Sequence, residues 1–407
     1  MLQQRTFGIP AVLTVLFLVL AACDGGGASG RPATTGGGES GGASPAESGD
    51  AGGGFFAENC GSEDAGDRIQ IGGVTDVGQL EDKSFNQAGW CGTLAGASAV
   101  GGSARVIVTE DPADYQPNIQ TLVDEGYELI VTFGFAFGND TTIMAKANPD
   151  VHFIGIDQFI CVDAEGAPDT TNVCEGDPAE LIPNYEGLNF NEAQPGFLAG
   201  IVAANITETD VIGSVGGIDT IPPVVDYIGG YYNGAVSVNP DIEVLVQYVS
   251  DDITVAFNDP GTGRSIADQM IGQDADVLFQ VAGLSGQGVL EAACDEGLYG
   301  IGVDVDQALY VPNLAECIVT SAEKKIVDAV TASIKNYDAG SPNSGNVFLD
   351  AASNPLGIGL APYHDFEDLI TPEIQQQVDD ARAALAAGDL DPCAGEGICF
   401  FGDPDEE

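Results

Sequence analysis

The sequence predicts an α/β fold built as two doubly wound lobes of parallel sheet, and three observations carry that expectation. From residue 68 onward, short unbroken Val/Ile/Leu runs alternate with segments of helical spacing. Continuous apolar strands separated by helices of about 10 to 15 residues belong to parallel sheets covered on both faces. The rhythm continues to about residue 390, which suits two lobes better than one very large sheet. Finally, three of the expected strands end in aspartate (Asp76, Asp157 and Asp304), and open parallel sheets bind ligands just outside such carboxyl ends.

At the N-terminus, Arg5 precedes the apolar run PAVLTVLFLVLAA at residues 10–22. That run is shorter than the roughly 20 residues a spanning helix needs, so residues 1–22 read as an export signal. Its end, Leu20-Ala21-Ala22-Cys23, resembles the lipobox of bacterial lipoproteins, in which the cysteine carries the lipid, palmitate included, and becomes the first mature residue. Residues 23–67 form a Gly/Ser-rich acidic linker, with too little apolar surface to order itself. The expected location is the extracytoplasmic face of the cell membrane, held by lipid on Cys23.

The folded part divides, by expectation, into an N-terminal lobe (68–187 plus about 305–349), a C-terminal lobe (188–304 plus about 350–390) and an acidic tail at 391–407. Strands are expected at 68–76, 104–110, 128–135, 151–157, 211–217, 242–250, 275–283, 299–306 and 317–323. Helical spacing appears in NIQTLVDEG, FLAGIVAANI, VVDYIGGYYNGAV, SIADQMIG and GVLEAACDEG, and again over 371–390. With Cys23 set aside, eight of the nine cysteines remain, an even number on an exported chain. Local spacing pairs Cys161 with Cys174, Cys294 with Cys317 and Cys393 with Cys399; elimination leaves Cys60 with Cys91. No CxxC is present and only His152 and His364 exist, so no metal site is expected.

Composition excludes several partners. The chain of 407 residues has 11 basic and 63 acidic residues, a net charge of −52, which repels nucleic acid and anionic headgroups alike. Adaptation to a saline exterior and general solubility are the two competing readings of that charge. From residue 68 on, no P-loop, GxGxxG, G-x-S-x-G elbow or HExxH is present, and no nucleophile stands beside either histidine. No cofactor and no catalysis are expected, although paired carboxylates leave glycosidic chemistry formally open.

The strand-end aspartates make a ring of acceptors suited to a ligand rich in N–H and O–H donors, with helix or turn capping as the competing role. In DKSFNQAGW, Ser84 is a candidate N-cap and Phe85 falls on the first helical turn, at the same mouth. An aromatic there is either a core staple or a stacking platform for a flat ligand, and Phe257 in AFNDPGTG is a second platform. Asn86 offers both a donor and an acceptor to a base edge. Lys324, in TSAEKK beside Lys325, either neutralises the carboxylates, donates to a ligand hydroxyl, or is a solvated surface lysine.

These residues also carry a resemblance. VTDVGQLEDKSFNQAGW, EDPADYQPNIQTLVDEGYELIVTFGF, NPDVHFIGID, FLAGIVAA, VGGIDTIPPVVDYIGGYYNGA, NPDIEVLVQYVSDDITVAFNDPGTG, ADVLFQVAGLSGQGVLEAA, GIGVDVDQ and IGLAPYH follow in order over 68–390. Together they resemble the basic membrane protein family, substrate-binding lipoproteins related to the purine nucleoside receptor. The resemblance implies a type I periplasmic-binding-protein fold: two lobes joined by three crossovers that close over a nucleoside and deliver it to an ABC permease. It implies base stacking by Phe85 and Phe257 and base-edge contacts from Asp76, Asn86 and Asp157. It places Gly283, Asp304 and a lysine, Lys324 or its neighbour Lys325, at the ribose. A monomer is expected. The stretch CVDAEGAPDTTNVC and Cys91 depart from the family pattern without touching these positions. The alternatives are the same fold binding a sugar or another small metabolite, and a nucleoside-cleaving enzyme.

Overall fold

The computed structural model describes residues 60–76, 78–397 and 399. The signal segment, Cys23, the linker up to residue 59 and the tail from residue 400 lie outside the described residues.

In chain order the elements are β1 (Gln70–Thr75), α1 (Phe85–Val100), β2 (Ser103–Ile107), α2 (Tyr115–Asp124), β3 (Leu129–Phe133), α3 (Gly138–Ala147), β4 (His152–Ile156) and β5 (Tyr185–Phe190). There follow α4 (Ala193–Ile206), β6 (Val211–Gly216), α5 (Pro222–Val238), β7 (Glu243–Tyr248), α6 (Pro260–Ile271), β8 (Val277–Val281), α7 (Gly283–Asp295) and β9 (Tyr299–Asp304). The chain closes with β10 (Ile318–Lys324), α8 (Ile326–Asp338), β11 (Gly345–Leu349), β12 (Ile358–Leu360) and α9 (Pro372–Ala387).

The strands form two six-stranded sheets, ordered β11-β5-β4-β3-β1-β2 and β12-β10-β9-β8-β6-β7. Every pairing is parallel except that of the short β12 against β10. This is the expected doubly wound α/β class. Strands β3, β4 and β8 are buried at every position, which is why their sequences are predominantly apolar.

The chain passes between the sheets three times: from β5 to α4, from β10 to α8, and from β11 to β12. The crossovers are tied to one another. Asn191 N donates to Leu349 O at 2.9 Å, Lys325 N to Gly357 O at 2.9 Å, and Ala351 N to the Gln194 side chain at 2.9 Å.

Two expected lobe boundaries move. β5 runs through residue 190, so a division after 187 would cut a strand. β10, expected with the first lobe as part of 305–349, belongs to the second sheet. It pairs in parallel with β9 from Ile318 opposite Gly300 to Glu323 opposite Asp304, with all seven residues buried. The chain returns to the first lobe only at Lys325, and α8 then packs its Ile326, Val330 and Ile334 beside α1. The ends of the expected linker and tail are also shorter than anticipated. Ser62 N bonds Ser98 Oγ at 3.2 Å, and Gly397 N bonds Asn233 Oδ1 at 2.9 Å, so both segments dock.

The four disulfides join the pairs expected from spacing and elimination: Cys60–Cys91, Cys161–Cys174, Cys294–Cys317 and Cys393–Cys399.

In the second lobe, α4 and α5 approach until backbone meets backbone. A Cβ added to Gly200 would overlap the Tyr231 carbonyl oxygen, and one added to Gly234 would overlap that of Phe197. Glycine is required there by proximity, and the contact fixes the α5 face that carries Tyr227. Replacing Gly234 with Ala must push the helices apart, at about 1–3 kcal/mol for overpacking. A calorimetric melt should show the midpoint lowered by several degrees, at roughly 2–4 °C per kcal/mol for a lobe of this size.

Candidate functional site

The carboxyl ends of the central strands of both sheets face a common cleft, with an empty volume of about 670 Å³ that includes open solvent at its mouth. Small-molecule sites typically measure roughly 300–1,000 Å³. Asp76, Phe85, Asn86, Asp157, Phe257, Gly283, Asp304 and Lys324 all line it, so the structure brings these eight candidate ligand residues together.

The first lobe supplies the turn after β1 and the start of α1. Asp76 follows β1, and its Oδ1 accepts from Gly78 N at 3.2 Å. Ser84 occupies the N-cap position of α1, but its side chain does not cap the helix. Asp82 performs that task. Its Oδ1 accepts from Ser84 N at 2.9 Å and Gln87 N at 3.2 Å, and its Oδ2 from Asn86 N at 2.9 Å. A buried carboxylate at a helix N-terminus is stabilised by the exposed N–H groups and the helix dipole. It fixes the first turn, and with it Phe85 and Asn86. The Phe85 ring packs on the first-lobe core, whereas Phe257 packs on the second-lobe core, so each lobe contributes one ring.

Asp157 and Asp304 are structural counterparts. Both end a strand with positive φ, 57° and 65°. At Asp304, Val305 N bonds Val303 O at 2.7 Å, closing a γ-turn that aims the carboxylate into the cleft. Gly283 starts α7 at φ 53°, a conformation that favours glycine and leaves room beside Phe257.

Lys324 is 4% exposed and sits where the crossovers meet. Its Nζ is hydrogen-bonded to Asp157, 3.1 Å from Glu192 and 4.0 Å from Asp304. It also stands 5.2 Å from the Phe85 ring centroid and 5.5 Å from that of Tyr227. Burial opposes its charge, but the surrounding carboxylates outweigh burial and hold its pKa above the usual range. Lys325, the neighbouring candidate, is partly exposed and pairs with Glu323 at 2.5 Å instead. Two buried acceptors at the site, Asn86 Oδ1 and Asp157 Oδ1, find no hydrogen-bond partner among the described residues. Neither histidine lines the cleft: His152 stacks on Tyr337, and His364 Nε2 meets Asp306 at 2.8 Å.

Sequence reasoning missed Asp82, Glu192 and Tyr227. Asp82 stands two residues before a conventional capping residue, which hid its role. Glu192 follows β5, a strand that had not been recognised. Tyr227 lies within an apolar helix and looked like core.

Comparison with known proteins places this geometry in context. Residues 69–383 match the family model described as ABC transporter substrate-binding protein PnrA-like. Among curated relatives, basic membrane protein A of Borreliella burgdorferi is 28% identical over 314 residues, covering 76% of this chain and 83% of that protein. The ABC transporter nucleoside-binding protein BmpA of Lactococcus lactis is 31% identical over 246 residues, covering 58% and 63%. Among solved structures, an ABC transporter solute-binding protein from Aeropyrum pernix superposes with a TM-score of 0.67 at 23% identity, covering 79% of this chain and 92% of that one.

Burial lifts three carboxyls, two lining the cleft and Glu192 beside Lys324, far above their ordinary range. Asp76 and Asp82 rise to about 7, with neighbouring carboxylates adding to the effect. Glu192 rises to about 8 through burial, which outweighs the opposing pull of Lys324, while Asp157 and Asp226 push in the same direction as burial. Each folded value exceeds its unfolded one, so the folded protein binds more protons. The stability they provide is complete below about pH 4 and is lost as pH rises through about 7 to 8. Melting of the ligand-free protein should therefore shift upward from pH 8 to pH 6, and Glu192→Gln should make that slope shallower. A slope untouched by the substitution would contradict the assignment.

Proposed function

Because this chain belongs to the family of PnrA-like ABC transporter substrate-binding proteins, whose members work outside the cytoplasm, we propose that it captures purine nucleosides and hands them to a membrane permease, tethered by lipid on Cys23. The observation that carries this reading is the pairing in one cleft of an aromatic ring from each lobe with buried, unsatisfied acceptors. A flat base between Phe85 and Phe257 would have both faces covered only when the lobes are closed. Its N–H groups would supply the donors that Asn86 Oδ1 and Asp157 Oδ1 lack. Ribose hydroxyls would donate to Asp304, with Lys324 beside it. The name of the Lactococcus relative, a nucleoside-binding protein, agrees with this ligand class.

The charge pattern argues the specificity further. Among the described residues, the cleft is lined by Asp76, Asp82, Asp157 and Asp304 against the single cation Lys324, which is already engaged. A phosphate would enter like charge without a free partner, so nucleosides are preferred over nucleotides. Closure follows from the same geometry, since contacts made by both lobes exist only in the shut form and shift the population toward it.

A soluble form beginning near residue 60, purified without denaturation, should carry a nucleoside detectable by mass spectrometry. A sugar mass would replace the ligand class and keep the fold. Calorimetry should show Phe85→Ala and Phe257→Ala each weakening nucleoside binding by about 5- to 150-fold, the equivalent of roughly 1–3 kcal/mol of stacking. Asp304→Ala should weaken it severely. Affinities unchanged in all three variants would overturn the site.

A further inference from the structure

The lobes touch through side chains at a place where the lining residues alone would not require it. Ser84 Oγ, in the first lobe, donates to Asp304 Oδ2 of the second at 2.6 Å. Gln307, on the short turn after β9, donates from Nε2 to Lys83 O at 3.0 Å, and Gln287 reaches Asp82 O at 3.4 Å. Three consecutive residues of one lobe, Asp82, Lys83 and Ser84, therefore meet three side chains of the other.

Both halves are held in shape from within their own lobes. Gln307 is fully buried, and its Oε1 accepts from Gln280 Nε2 at 2.6 Å and from Val303 N at 3.1 Å. With the oxygen committed twice, the amide orientation is fixed and its N–H must point at the first lobe. Gln280 in turn accepts from Ala282 N at 3.0 Å, immediately before Gly283 of the cleft. Opposite, Lys83 has φ 60°, and its N–H is held by Gln87 Oε1 at 3.1 Å, while Asp82 caps the following turn. The Ser84 hydroxyl, freed from capping by Asp82, is available to cross the gap.

We infer that the 82–84 turn and the Gln307–Asp304 segment form a preorganised latch, with Gln307 and Ser84 as positioning residues that hold the cleft shut. It rests on reading the cleft as a closing ligand site, but on no particular ligand. A bond made only in the closed form weights that form whether or not a ligand is present. Where the open form predominates without ligand, the latch raises the affinity for every ligand by the same factor and acts on escape rather than entry. Asp304 belongs to both sets of contacts, and through it ligand and latch support each other.

The test uses distance labels, one on each lobe, in the ligand-free protein. Ser84→Ala removes only the crossing hydroxyl; Gln307→Met removes the amide at similar length and serves as a second variant, should it fold. Each should lower the ratio of closed to open form by roughly two- to tenfold, the value of one net hydrogen bond. Stopped-flow measurements with inosine and guanosine should show dissociation faster by the same factor for both ligands and association unchanged. A closed fraction equal to that of the parent in Ser84→Ala overturns the latch, even if nucleosides bind. A reduced closed fraction in a protein that binds no nucleoside upholds the latch and removes the nucleoside reading instead.

Discussion

Lys324 places a positive charge in the interior of a protein that carries −52 overall, and the two lobes are organised around it. Removing an ammonium from water is costly unless close partners replace the lost solvation. Here they come from both lobes and from a crossover: Asp157 from the first lobe, Glu192 between β5 and α4, Asp304 from the second lobe. Taking one member from such a buried group typically costs on the order of 3–5 kcal/mol, because the others are left uncompensated. The lysine thus decides the relative position of three strand ends. It also sets the electrical character of the cleft, since its charge is spent on the protein's own carboxylates.

That expenditure leaves a site rich in acceptors. Carboxylates with raised pKa values, a fixed amide oxygen and two rings from opposite sides describe a neutral, flat, donor-bearing molecule better than an anion. The contacts around it divide into two kinds. Those of Asn86, Asp157 and the rings depend on what is bound, whereas those between the 82–84 turn and Gln307 do not. Separating recognition from closure in this way lets the pocket vary while the closing step is kept.

Much of this was legible in the residues. The central strands announced themselves because a parallel strand buried on both faces must be largely apolar, as LIVTF and VLFQV are with one polar residue each. The site aspartates were legible because strand ends are where such sheets bind ligands. What escaped was interrupted or brief: β5, YEGLNF, breaks its run with Glu, Gly and Asn; β11 has three apolar residues, and β12 is only three residues long. Missing β5 hid Glu192, and taking Asp304 for the lobe boundary misplaced β10. Ser84 was read from its type as a cap, but tertiary contact turned its hydroxyl to Asp304 and left capping to Asp82. No local pattern carries that exchange, because the partner lies 220 residues away.

The Cys60–Cys91 bond has a mechanical consequence. It joins the start of the described chain directly to the middle of α1, across a sequence separation of 31. Tension applied from the N-terminal side passes through sulfur into that helix and bypasses residues 61–90. The bypassed loop contains β1, Asp76, the 82–84 turn, Phe85 and Asn86. Forced unfolding is governed by the rate at which the loaded segment gives way, and here the segment spared the load carries Asp76, Asp82, Phe85 and Asn86 of the first lobe's share of the cleft. A pull from the N-terminal side would load α1 at Cys91 before it reached the turn at residues 82–84.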